Sequence, residues 1–140
     1  MYDRIVVAVD NSEQSDRAGR AACALAKLSG GTVQLIHVRE RQDVIGKGGG
    51  SFDNEYAEEA KAIVDKAEGP FKAAGVPVTS KVVHVAIGHI ADEIVKAAEE
   101  SDSDTIVMGS HGRSAVGAAV LGSNAYKVVH LARRAVLIVR

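Results

Sequence analysis

The chain has 140 residues, 46% hydrophobic and 25% charged, the size and make-up of one folded domain rather than of a disordered chain. With 17 Lys and Arg against 18 Asp and Glu, its formal net charge of -1 is unlike that of a protein that grips the backbone of DNA or RNA. One cysteine excludes an intrachain disulfide and a cysteine-based metal cluster, and no apolar run approaches the ~18 residues of a membrane span. Met1-Tyr2-Asp3-Arg4 runs straight into a strand-like segment and leaves no room for a signal peptide, so a cytoplasmic protein without nucleic-acid or membrane partners is expected.

Arg4-Ile5-Val6-Val7-Ala8-Val9 is continuously apolar after its first residue, the pattern of a strand buried on both faces of a parallel sheet. Asp10-Asn11-Ser12 ends it and opens a helix, with Asn11 and Gln14 spaced as a weak capping box. Ala18, Ala22, Leu25 and Leu28 recur at helical spacing up to a stop at Gly30-Gly31, and Thr32 to Val38 reads as a second strand. From Arg39 to Ser51 the pattern fails, and Gly46, Gly48, Gly49 and Gly50 predict a flexible surface loop over about 39–52. Tyr56, Ala60, Ile63, Val64, Ala67 and Phe71 mark a second amphipathic helix. Gly75-Val76-Pro77 then turns into a strand from Val78 to Val85, whose Lys81 suits a sheet edge. Ile90, Ile94 and Ala98 mark a third helix, and Asp104 to Met108 a fourth strand. A glycine-bearing loop runs from Gly109 to Gly122, a fourth helix holds Ala125, Val128, Val129 and Ala132, and Ala135 to Val139 is a fifth strand.

Strict alternation of strands and helices predicts one α/β domain over 1–140: a doubly wound, Rossmann-like parallel sheet of five strands with helices on both faces. The 22 Ala and 20 Val, against two Phe and no Trp, suit helices lying close to a sheet. The strand orders 3-2-1-4-5 and 2-1-3-4-5 both fit. Ligands of such sheets sit beyond the carboxyl ends of the strands where the order reverses. In the first order that crevice is flanked by Asp10-Asn11-Ser12 and Gly109-Ser110-His111-Gly112. The first offers a carboxylate that can accept from an amine, the second glycines that let backbone N–H groups approach an anion. Gly122-Ser123-Asn124 opens the last helix, where free N–H groups and the helix dipole favour an anion. Ordinary loop glycines, with Ser123 as a plain N-cap, account for the same residues equally well.

The pattern Gly109-x-x-Gly112, nine residues, Gly122-Ser123, after Ile-Val-Met, resembles the nucleotide-binding signature of the universal stress protein family. Val9-Asp10-x-Ser12 before an Ala-rich helix, His37-Val38 closing strand two, and Ser110-His111-Gly112-Arg113 resemble it too. The resemblance spans essentially the whole chain. It implies the order 3-2-1-4-5, a cytoplasmic homodimer and binding of ATP, with Mg2+ as its counterion, in stress response or signalling. It puts Asp10 and the Val38 backbone at the adenine, and Met108 and Gly109 at the ribose. Gly112, Gly122, Ser123 and the N–H of Asn124 fall at the phosphates, within reach of His111 and Arg113. Asn11 and Asn124 depart from the family's usual residues at the site, and Arg134-Ala135-Val136 replaces its Cys-Pro-Val.

An enzyme would need a base placed to activate water. The phosphate loops supply only His111 and hydroxyls, so no catalytic residue and no metal ligand is assigned, and at most slow ATP hydrolysis is expected. Cyclic AMP or another adenine nucleotide is the alternative ligand, and action through dimer contacts alone the alternative role. No Gly-x4-Gly-Lys-Ser/Thr sequence is present, which excludes a P-loop NTPase. His37, His84, His89 and His130 read as surface or packing residues, and Cys23, among alanines, as buried and inert. The wholly apolar strand 135–139 at a sheet edge is the expected dimer contact.

Overall fold

The computed structural model describes residues 1–41, 49–112 and 120–140, with the backbone alone for 49–56. Its elements are β1 (Arg4–Ala8), α1 (Glu13–Ser29), β2 (Thr32–Glu40), α2 (Gly49–Ala73), β3 (Val78–Val85), α3 (Ile90–Glu100), β4 (Thr105–Gly109), α4 (Ser123–Leu131) and β5 (Ala135–Val139). The sheet order is β3-β2-β1-β4-β5 and every pairing is parallel, which selects 3-2-1-4-5 from the two orders open to the sequence.

β1 is the central strand. Val6 and Val7 are both fully buried although they point to opposite faces, the reason its sequence runs apolar without alternation. On one face Val7, Leu35 and Val107 pack under Ala18, Ala22 and Ala26 of α1 and Val64 and Phe71 of α2. On the other, Val6, Ile36 and Ile106 pack under Ile94 and Ala98 of α3 and Ala125 and Val128 of α4. Each such Val, Leu or Ile contributes roughly 1.5–3 kcal/mol relative to exposure. The small Ala side chains let the helices approach the sheet closely.

Several local expectations change. The buried stripe of α1 is Ala18, Ala22 and Ala26, and Leu28 is 86% exposed because it turns away from that i, i+4 line. Val129 on α4 is exposed as well, because the buried side of that helix runs through Ala125 and Val128. The cap of α1 is Ser12, not Asn11: the Ser15 N–H donates to Ser12 Oγ at 3.1 Å, so the Asn11–Gln14 box does not form. α1 stops at Gly30, in the left-handed conformation at φ 72°. β2 continues to Glu40 and α2 begins at Gly49, so both elements reach into the span assigned to a loop. The rest of that loop, 42–48, lies outside the described residues. Cys23 is half-buried rather than buried, with its thiol 3.9 Å from the Pro70 carbonyl oxygen.

At the amino-terminal edge of the sheet, the Asp104 carboxylate accepts N–H bonds from Tyr2, Asp3 and Arg4 at 2.9, 2.9 and 3.2 Å. Thr105 Oγ1 donates to it at 2.7 Å. Burial pushes this carboxyl up, but the Thr105 hydroxyl and the three N–H groups outweigh that and hold it below its ordinary value. Among the described residues, no helix is long and apolar enough to cross a membrane.

Candidate functional site

The crevice lies at the carboxyl ends of β1 and β4. Past β1 the chain is held by side chains. The Asp10 N–H donates to Ser15 Oγ at 2.9 Å, and Asp10 Oδ1 accepts the Ser12 N–H at 2.8 Å. The half-buried Asp10 carboxylate is thus locked at one oxygen by the turn that starts α1. Its other oxygen, Oδ2, would lie 3.0 Å from a Cβ built on Gly112, so the loop after β4 comes directly against the loop after β1.

Past β4, each glycine of the pattern stands at a close approach. A Cβ on Gly109 would meet Gln14 Cβ at 2.8 Å, because the first turn of α1 presses on the end of β4. A Cβ on Gly122 would come within 3.0 Å of the Ser110 carbonyl oxygen and 3.3 Å of His111 Cα. The buried Ser110 organises this end of the site: its N–H donates to the Val139 carbonyl at 2.8 Å, and its carbonyl accepts the Gly122 N–H at 2.8 Å. These two bonds tie β5, the β4 loop and the start of α4 together. His111 Nδ1 lies 3.1 Å from Ser110 Oγ, and its Nε2 is buried without a hydrogen-bond partner among the described residues.

The N-cap of α4 is Gly122, with no side-chain cap bond and no acidic residue in the first turn. Ser123 is therefore the first helical residue, not the cap, and nothing on its own helix compensates the positive end of the dipole. Ser123 is exposed and Asn124 half-buried. Met108 is 6% exposed, its side chain packed in the core with Ile106 and Val128, so it can offer a ligand little but its backbone. Val38 is half-buried on β2, past the last β1–β2 partners, Ala8 and Ile36. Arg113 lies outside the described residues.

Asp10, Gly109, His111, Gly112 and Gly122 are thus gathered at one edge of the sheet. Ser15 and Ser110, two hydroxyl residues that hold the loops, are not among the residues the sequence assigns to a ligand. Ser15 was legible as the N–H partner of a Ser12 cap; nothing in the sequence marked Ser110 as buried.

A family model described as Universal stress protein family matches residues 1–140. The chain belongs to this family. Among its curated relatives is Universal stress protein MJ0577 of Methanocaldococcus jannaschii, 30% identical over 100% of this chain and 96% of its own. A solved structure of MJ0577 superposes with a TM-score of 0.86, covering 99% of this chain and 96% of its own at 29% identity. The Archaeoglobus fulgidus universal stress protein solved in complex with dAMP has a TM-score of 0.75 at 28% identity, over 98% of this chain and 97% of its own. A universal stress protein solved in complex with cAMP has a TM-score of 0.75 at 27% identity, over 99% of this chain and 97% of its own.

Proposed function

We propose that this universal stress protein binds an adenine nucleotide, ATP with Mg2+, between the carboxyl ends of β1 and β4, and acts as a binding module in stress response or signalling. The observation that carries the reading is the closeness of the Asp10 carboxylate to the Gly112 backbone beside the uncapped start of α4. Such an edge offers an acceptor for a base or ribose and N–H donors for phosphates. The complexes of two similar family members with dAMP and cAMP support the ligand class.

In this reading Asp10 accepts from the adenine amino group and the Val38 backbone meets the base edge. The backbone at Met108 and Gly109 faces the ribose. Gly112, Gly122, Ser123 and Asn124 offer N–H groups to the phosphates, and the unpartnered Nε2 of His111 donates to them. Arg113, next in sequence, is the cation proposed for the phosphates. Mg2+ would enter with the nucleotide, as counterion of its phosphates. Asp10 is engaged by the Ser12 N–H and assigned to the base, which leaves no acidic base for water at the distal phosphate among the site residues proposed; turnover is slow. The protein pairs through β5 as a homodimer.

Mass spectrometry of ligand released from the purified protein tests the reading. An adenine nucleotide is the expected mass; protein that carries none and takes up none from saturating ATP overturns it. The neighbour solved with cAMP gives the second reading, a cyclic nucleotide as the preferred ligand, favoured if cAMP displaces ATP rather than the reverse.

A further inference from the structure

The end of the β1–β2 ladder departs from regular pairing. Register pairs run from Arg4↔Thr32 to Ala8↔Ile36, and the Val9 N–H still donates to the Ile36 carbonyl at 2.9 Å. In a regular parallel ladder the next bond would bring the Val38 N–H to the Val9 carbonyl. That carbonyl lies instead 2.8 Å from Nδ1 of His37, a ring only 5% exposed. A carbonyl can only accept, so Nδ1 carries the proton and donates. The peptide joining Val9 to Asp10 is therefore held on both sides by side chains: its C=O by His37 of β2, its N–H by Ser15 of α1 at 2.9 Å.

In β2, alternate residues point their backbone groups to the same neighbour. The Ile36 carbonyl faces β1, so the backbone of Val38 faces the same side, beyond the point where β1 leaves the sheet. The His37 ring satisfies the buried carbonyl that would otherwise draw Val38 in.

We infer that His37 is a positioning residue of the nucleotide site: its imidazole replaces one ladder bond, which fixes the peptide that carries Asp10 and leaves the Val38 backbone directed into the crevice. The inference rests on the adenine-nucleotide reading above for its consequence, and on the ladder geometry for its cause. It makes a histidine with a proton on Nδ1 part of how the site is shaped, rather than a packing residue of the core. It also links the two proposed adenine contacts, Asp10 and Val38, through one buried side chain.

The test combines amide exchange with calorimetry on wild type, His37→Phe and His37→Asn. Asn places an amide N–H near the position of Nδ1, whereas Phe keeps bulk without a donor. In ligand-free wild type the Val38 N–H exchanges quickly and ATP protects it; in His37→Phe it is protected without ligand, because it closes onto the Val9 carbonyl. His37→Phe weakens ATP about ten-fold, the loss of one good hydrogen bond's worth of alignment, and His37→Asn recovers most of it. A simple loss of core packing would not protect Val38 and would not be rescued by Asn. A slowly exchanging Val38 N–H in ligand-free wild type overturns the inference whatever the nucleotide does, and needs no variant to fold. Wild-type ATP affinity in His37→Phe, or an Asn variant as weak as the Phe variant, overturns the positioning role while leaving the nucleotide reading intact. Failure of the wild type to bind ATP overturns that reading instead.

Discussion

A Cβ placed on Gly112 would sit 3.0 Å from Asp10 Oδ2, tighter than ordinary van der Waals contact. The absence of a side chain at 112 is therefore coupled to the placement of a carboxylate 102 residues earlier in the chain. Gly112→Ala should push the Asp10 carboxyl off its place without touching the core, since Gly112 itself is exposed. The expected result is weaker ATP binding by calorimetry with an unchanged melting temperature. Unchanged affinity would show that Asp10 and the β4 loop do not act on one ligand.

Gly122 faces the main chain of Ser110 and His111. A valine there would collide with backbone, so lost binding in Gly122→Val would not separate folding from phosphate contact. Gly122→Ala brings only the Cβ against the Ser110 carbonyl and is the milder variant. With its fold checked by thermal melting, it should lower ATP affinity several-fold while leaving adenosine affinity nearly unchanged, because the glycine serves the phosphates and not the base. Equal losses for ATP and adenosine would move Gly122 out of the phosphate site.

The two sheet edges differ. β3 carries Lys81, which pairs with Glu100 at 3.2 Å, whereas β5 is Ala-Val-Leu-Ile-Val with Leu137 36% exposed. Val136 and Ile138 pack against the α3–α4 cluster, so of this strand's large apolar side chains Leu137 is the one left outward. The sequence leaves Leu137 and Ile138 as equal candidates for a dimer contact; the packing selects Leu137. Leu137→Lys should shift sedimentation from dimer to monomer at micromolar concentration, with ATP present. A wild type that is already monomeric under those conditions would refute the interface.

Asp104 holds the amino terminus against β4 through three N–H groups and the Thr105 hydroxyl. Its carboxyl titrates below the ordinary value, so the ionised form is favoured by folding. That stability is present above the unfolded-state value, near ~4, and drains away as the pH falls through the folded-state value. Asp104→Asn should therefore cost about 1–3 kcal/mol near neutrality in urea unfolding. The gap to wild type should narrow in acid; a gap constant from pH 7 to pH 3 would contradict the assignment.

How much the sequence discloses depends on how local each signal is. β3 and β5 are bounded as their composition predicts, because Gly75-Val76-Pro77 and the polar Arg133-Arg134 pair punctuate them sharply. The start of α1 is off by one residue, since Asn11 and Ser12 are both good caps and only the Asp10 turn decides between them. Leu28 and Val129 fit a helical repeat yet face water, because the spacing alone does not say which flank of the apolar stripe meets the sheet. Ser110 and His37 stayed hidden for a different reason. Their partners, Gly122 and Val9, are set by how β1, β2 and β4 bring the loops together, and no local pattern encodes that.

Direct titration of nucleotide into ligand-free protein, wild type beside Asp10→Ala, tests the central claim most squarely. The account predicts saturable ATP binding, a preference over GTP, and a loss of ~1.5–3 kcal/mol in the variant, ten-fold or more, with the ATP–GTP gap narrowed because guanine presents a carbonyl where adenine presents its amino group. No saturable binding of ATP to the wild type, or an Asp10→Ala protein with wild-type affinity and selectivity, would contradict it.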